Sequence, residues 1–326
     1  MKSLLGVLVA GLSLALVAPA ANAQAATVSA ANADGTPQLL TELQFSSTTA
    51  MASAASTAIT SSALSPAGWL TGAQAGGSVG VQSTASPQAS APSVDTLEGS
   101  YPVPGAGAQF IWADYSVAAL NTEDVYVEFW AKMPSQYKGG CKFLKVFGER
   151  SDPSGDADAT IATDYTGVDY GAIRQISFGD GTGVRNDSQN TINLDGTNPS
   201  WIGRSYGSAV VKTPQGGNFS SADWGTQWHH FRVHVKFNSG TTSKNEVADG
   251  AYYLEIDNQV YVDATGLYNR NPANGPISYI EFFGWAQKDP QPFQLWYDDI
   301  RISTGGFLST PLPDPPADIG AQVQAN

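Results

Sequence analysis

Apolar residues in this chain recur at every second position, and no stretch keeps a convincing period near 3.6 apart from weak Ala-rich pieces near residues 48–62. In VYVEFWAK, residues 125–132, Val125, Val127, Phe129 and Ala131 fall on one side, and Tyr126, Glu128, Trp130 and Lys132 on the other. In YIEFFGWAQ, residues 279–287, the same spacing turns Ile280, Phe282, Gly284 and Ala286 inward. It turns Tyr279, Glu281, Phe283, Trp285 and Gln287 outward. WHHFRVHVKF, residues 228–237, sets Phe231, Val233, Val235 and Phe237 against His230, Arg232, His234 and Lys236. Segments patterned this way bury their apolar side only as strands of a covered sheet. The expected class is therefore all-β, a sandwich of two antiparallel sheets.

Strands are expected near residues 39–45, 78–82, 108–114, 125–132, 142–147 and 171–178. Further ones are expected near 228–238, 251–257, 259–263, 277–285 and 293–303. LLTELQF near the start and FQLWYDDIRIS near the end are expected to pair as neighbours, which makes residues 37–308 one domain. Residues 48–93, rich in Ala, Ser and Thr, read as long surface loops inside it. Ahead of the domain, Lys2, an apolar run from Leu4 to Val17 and Ala21-Asn22-Ala23 make a signal peptide over residues 1–23, so the protein is expected to be secreted. No other segment approaches a membrane span. Residues 24–36 and the Pro-rich tail 309–326 are expected to be disordered.

Only 14% of residues are charged, and the net charge is −13. That balance argues against a nucleic-acid partner, because few cations are available to replace phosphate counterions. Bases do gather locally, at Lys132, Lys138, Lys142, Lys145 and Arg150, a strip compatible with an anionic glycan. Cys141 is the single cysteine and reads as a small buried hydrophobe. The outward aromatics of 279–287 and Trp130 allow two readings. One is a sugar-binding groove with rings stacked on pyranose faces, and the other is a second buried layer.

The succession ELQF, VYVEFWAKMP, GGCKFLKVFG, QWHHFRVHVKFNSG, DGAYYLEIDNQVY, YIEFFGWAQ, LWYDDIRIS resembles the concanavalin A-like jelly-roll polysaccharide lyases, over residues 37–305. The resemblance implies substrate lying on the concave sheet. It also implies β-elimination from a uronate polymer, which needs a group to neutralise the C5 carboxylate, a base for the C5 proton and an acid for the leaving oxygen. Gln175-Ile176-Ser177 resembles the Gln-Ile-His strand of alginate lyases, and residues 279–287 resemble their late Tyr-containing strand. On that alignment Gln175, Tyr279 and Gln287 match. Ser177 stands at the His position, Trp285 at the acid Tyr position and Glu281 at a Lys position. An indole and an unactivated serine cannot move those protons. Lys145, Tyr126, Tyr170 and Arg174 remain as substitutes, beside the reading that each is an ordinary strand residue.

The resemblance places WHHFRVHVKF and YYLEIDNQVY in a hairpin of the outer, convex sheet. His230, Arg232, His234 and Lys236 would then face water, opposite Tyr253, Glu255 and Asp257. Were that hairpin to line the groove instead, His230 and Arg232 would be the base and the carboxylate clamp. No cofactor is expected for catalysis. Glu42 with Asp298 or Asp299 is placed for a structural Ca²⁺ between first and last strands, and plain carboxylates at strand ends fit as well. Three readings follow: a lyase acting on an anionic polysaccharide, a non-catalytic glycan-binding protein stacking sugars on Trp130, Phe283 and Trp285, and a cell-surface or matrix structural protein. In the first two, Tyr126, Glu128, Trp130, Tyr279, Glu281, Phe283, Trp285 and Gln287 are the substrate-binding residues.

Overall fold

The computed structural model describes residues 37–43, 55–56, 62–64, 69–74, 77–82, 96–101, 109–133, 140–148, 159–163, 173–178, 190–194, 209–224, 227–240, 247–269, 275–287 and 293–308. They form two nine-stranded sheets, with a four-residue helix, Ser221–Trp224, and a short 3₁₀ turn, Ala118–Leu120. The expected all-β sandwich is what the chain adopts. Every pairing is antiparallel except that of Ala55–Ser56 with Trp69–Gln74.

The first sheet runs Val210–Lys212, Gln259–Leu267, Gly250–Ile256, Trp228–Lys236, Asp124–Lys132, Phe293–Thr304, Thr96–Tyr101, Ser78–Gln82. Gln38–Leu43 adds to the far half of Phe293–Thr304, as expected for the first and last strands. The second sheet runs Asn190–Asn193, Ile173–Phe178, Ala159–Thr163, Gly140–Gly148, Ile277–Gln287, Gln109–Ser116, Trp69–Gln74, Ala55–Ser56, with Ser62–Leu64 beside Trp69–Gln74. Residues 48–93 therefore contribute strands rather than loops alone. Ser78–Gln82 falls where a strand is expected, while WLTGAQ carries no apolar alternation and is held by its ladder to Gln109–Ser116.

Aromatic rings lock the sheets together. Phe129 of the first sheet stacks on Phe231 at 5.2 Å and meets Phe143 and Phe282 of the second at 5.9 and 5.7 Å. Phe231, Val233, Val235 and Phe237 are all buried, so alternation set the inner face of the histidine strand correctly. The hairpin turn between Gly250–Ile256 and Gln259–Leu267 has Asp257 at φ 51° and Asn258 at φ 63°. Positive φ at both central positions is what a tight two-residue hairpin turn demands, and Asp and Asn tolerate it. Cys141 is buried, as expected of a small hydrophobe.

One strand breaks its alternation. Phe283 has φ 67° and Gly284 φ 138°, and the ladder to Gly140–Gly148 slips between Phe282 and Ala286. This bulge turns Phe283 inward beside Phe282, edge-on to Tyr297 at 4.9 Å, and Tyr101 Oη donates to the Gly284 carbonyl at 3.0 Å. Phe283 is fully buried, so it offers no outward stacking platform.

Candidate active site

The residues singled out by sequence divide between two opposite faces. Tyr126, Glu128 and Trp130 lie on the first sheet, across from His234, Arg232 and His230 respectively. Lys145, Tyr279 and Glu281 lie on the second. Alternation assigned each side chain to a face of its own strand but could not say which sheet that strand joins, so a single groove holding both sets does not form. Gln175 and Arg174 lie on Ile173–Phe178 of the second sheet, and Trp285 and Gln287 on Ile277–Gln287. The side chains of these four and of Glu42 lie outside the described residues, as does the whole of Tyr170.

On the first sheet, cross-strand neighbours form an alternating row of charge: Glu255, Arg232, Glu128, Arg301, with Glu42 at the next register position. Arg232 Nε donates to Glu128 Oε1 at 2.9 Å and Nη1 to Glu255 Oε1 at 3.2 Å. Tyr253 Oη donates to Glu255 Oε2. The Phe307 ring covers the guanidinium at 4.1 Å. Burial pushes the Glu128 carboxyl above its ordinary value, against the pull of Arg232, and pushes the Tyr253 hydroxyl well up, with Glu255 adding to it.

Two of the three histidines are similarly tied. His234 Nε2 faces Asp124 Oδ1 at 2.7 Å and its ring stacks on Tyr126 at 4.0 Å. His229 lies between Asp257 Oδ2 at 2.7 Å and the Trp224 carbonyl at 3.1 Å. His230 packs on Trp130 at 5.1 Å. Burial, joined by the Arg232 charge, lowers its basicity. Arg232 is held in register between two carboxylates, so this face reads as a sewn outer surface, and the clamp role for His230 and Arg232 finds no support.

Arg232→Gln leaves Glu128 and Glu255 facing each other with no cation between them and should destabilise the fold by about 2 kcal/mol at neutral pH, less than for a fully buried pair because Arg232 is partly exposed. A carboxyl whose folded pKa is raised costs stability once pH exceeds its unfolded value, so the deficit should shrink as pH falls through the carboxylate range. Urea denaturation across that range measures it, and a deficit independent of pH would contradict the row.

The second sheet is different. Lys145 forms an ion pair with Glu281, and the two side chains are only 6% and 5% exposed. Glu281 is the cross-strand neighbour of Lys145 on one side and of Asp114 on the other. Thr160, Ser177 and Thr191 hold the successive register positions beyond Lys145. Asp114 is half-buried, yet its Oδ1 is sealed from solvent and meets no hydrogen-bond partner among the described residues. Burial, reinforced by the neighbouring Glu281 charge and by a hydrogen bond to it, drives the Asp114 carboxyl well above the usual range despite Lys145. Burial and the neighbouring carboxylate thus both favour the protonated form of Asp114. Removing a Lys and a Glu from water costs several kcal/mol each, and apolar replacements of equal volume would be neutral or stabilising. Three such groups in one buried row are thus a poor way to build stability and a common way to build a reactive site.

Asp114 was not among the residues sequence reasoning singled out. QFIWADYS does place Trp112, Asp114 and Ser116 on one side, but only the register of Gln109–Ser116 against Ile277–Gln287 brings Asp114 beside Glu281. Asp298 and Asp299 are buried at a second register break, where the Asp299 N–H donates to Asp298 Oδ1 at 2.9 Å and Asp299 has φ 45°. Among the described residues no group of three or more His, Cys, Asp or Glu gathers as a metal site. Calcium's six to eight oxygen ligands are not assembled by these two carboxylates alone.

No family model matches the chain, and no curated protein matches it in sequence. Among solved structures it is similar to an endo-β-1,4-glucuronan lyase from the fungus Trichoderma reesei, at 11% identity and a TM-score of 0.42, over 70% of this chain and 87% of that one. It is similar to the alginate lyase Aly36B at 16% identity and a TM-score of 0.38, over 64% and 80% of the two chains. A botulinum neurotoxin DC binding domain in complex with SialylT is also similar, at 12% identity and a TM-score of 0.37, over 71% and 43%. The neighbours thus include both lyases and a binding domain, and the choice of function rests on this chain's own residues.

Proposed function

We propose that this is an exported polysaccharide lyase that cleaves a uronate-containing polymer by β-elimination on the outer face of its second sheet. The observation that carries the reading is the buried row Lys145, Glu281, Asp114. Elimination beside a carboxylate needs a cation or proton donor for that carboxylate, a base and an acid in one small volume, and this row holds one group of each kind. The non-catalytic reading drew on aromatic platforms, and it loses Phe283 to the core and Trp130 to the opposite sheet.

The test is the ultraviolet absorbance of unsaturated uronyl ends, with the purified protein incubated with alginate, glucuronan, pectate and glycosaminoglycans in the presence of calcium. A rise on one of these polymers is expected. No rise on any of them, with retarded migration in a gel containing one of them, would replace the lyase by a binding protein.

A further inference from the structure

The Asp114–Glu281 pair has a consequence for stereochemistry, which rests on the lyase reading. The two carboxyl groups project from the same face of adjacent strands as direct cross-strand neighbours, and they are within hydrogen-bonding reach of each other. An acid and a base this close together cannot serve opposite faces of a sugar ring. They can serve one face, where the C5 hydrogen and the C4 oxygen lie side by side. We propose that Glu281 and Asp114 are the base and the acid of a syn elimination, which restricts the substrate to 4-linked uronates of the D-manno or D-gluco configuration. In those sugars H5 and O4 are on the same side of the ring. In L-guluronate and D-galacturonate they are on opposite sides.

The electron and proton count closes within the row. The Glu281 carboxylate takes H5, and the C5–H electron pair becomes the C4–C5 double bond. The C4–O4 bond breaks, and the Asp114 proton passes to the departing oxygen. As Glu281 becomes neutral, its hold on the Lys145 ammonium weakens, and the ammonium's field can act on the charge building on the substrate carboxylate. Turnover leaves the proton on Glu281 and none on Asp114, the reverse of the starting state. Transfer across the contact between the two carboxyls restores it without solvent, which suits a pair this deeply placed. Asp114 is the least buried of the three groups and has an oxygen without a partner among the described residues, so the leaving oxygen is expected to approach from its side.

The experiment compares the wild type with Asp114→Asn on polymannuronate, 1,4-glucuronan, polyguluronate and polygalacturonate, following unsaturated ends across pH. Asp114→Asn is isosteric, and it removes an oxygen acid rather than the Lys145 ion pair. Near-ultraviolet circular dichroism checks that it folds. Wild type should act on polymannuronate or glucuronan and leave the other two intact. The variant should lose about 10²–10⁴-fold in kcat with little change in KM. Wild-type rate should fall as pH rises through the elevated Asp114 range, and that limb should disappear in the variant. Elimination confined to polyguluronate or polygalacturonate, or a variant with unchanged kcat and pH profile, would overturn the syn pair and leave the lyase standing. A wild type inert on all four polymers would overturn both.

Discussion

Lys145→Met should destabilise the protein by about 3–5 kcal/mol at neutral pH, the cost of leaving a buried ion pair with one partner. It should also abolish turnover. The substitution keeps the length of the stem and removes only the ammonium, so packing changes little while Glu281 and Asp114 are left buried side by side without a cation. With Asp114 protonated, the uncompensated charge is the carboxylate left beside it, and that charge disappears in acid. The deficit should therefore be largest above the carboxylate range and narrow in acid. Guanidinium denaturation at neutral pH and near about pH 4 separates the terms. The double variant Lys145→Met, Glu281→Leu should regain most of the stability and none of the activity, because an apolar pair replaces the ionic one. A single variant that loses under about 1 kcal/mol, equally at both pH values, would mean that Lys145 is ordinary strand decoration.

Gly99→Val should cost about 3 kcal/mol, the upper end for overpacking, although Gly99 lies in an unremarkable strand, TLEGSY. Even a Cβ at this position would come within 2.4 Å of Phe283 Cε1 and 2.7 Å of Ile111 Cδ1. Neither can yield cheaply. Ile111 is fully buried, and Phe283 is pinned by its positive φ and its contact with Tyr297. Were Phe283 outward, as simple alternation expects, a side chain at Gly99 would meet nothing of it. Thermal unfolding of Gly99→Val therefore reads the direction of Phe283. A shift within about ±0.5 kcal/mol would return Phe283 to the outer face.

The sequence made the strands legible wherever one side of a segment is apolar. VYVEFWAK, WHHFRVHVKF and YYLEI alternate cleanly, whereas the hairpin that faces Arg232 to Glu255 and His234 to Tyr253 is implied by the resemblance and not by alternation. Strands built from small or mixed residues, such as ATIAT and WLTGAQ, carry no such signal and form because neighbours supply their ladders. Phe283 escaped because a bulge is a backbone event, and FFG does not announce which residue takes positive φ. Trp130 and Tyr126 escaped for another reason: alternation reports a face but not a sheet. Lys145 and Glu281 were both legible as candidates. Their pairing, and the arrival of Asp114 beside them, depends on register between strands more than a hundred residues apart in sequence, which no local pattern encodes.

If the buried row breaks a glycosidic linkage by elimination, the masses of the products show it most directly. Polymannuronate or 1,4-glucuronan incubated with the protein should give oligosaccharides each lighter by one water than the corresponding hydrolysis product, because the new non-reducing end carries the C4–C5 double bond. Oligosaccharides of full hydrolytic mass would contradict the claim by assigning the same carboxyl groups to the activation of water. An unchanged polymer would contradict it by removing catalysis from the site.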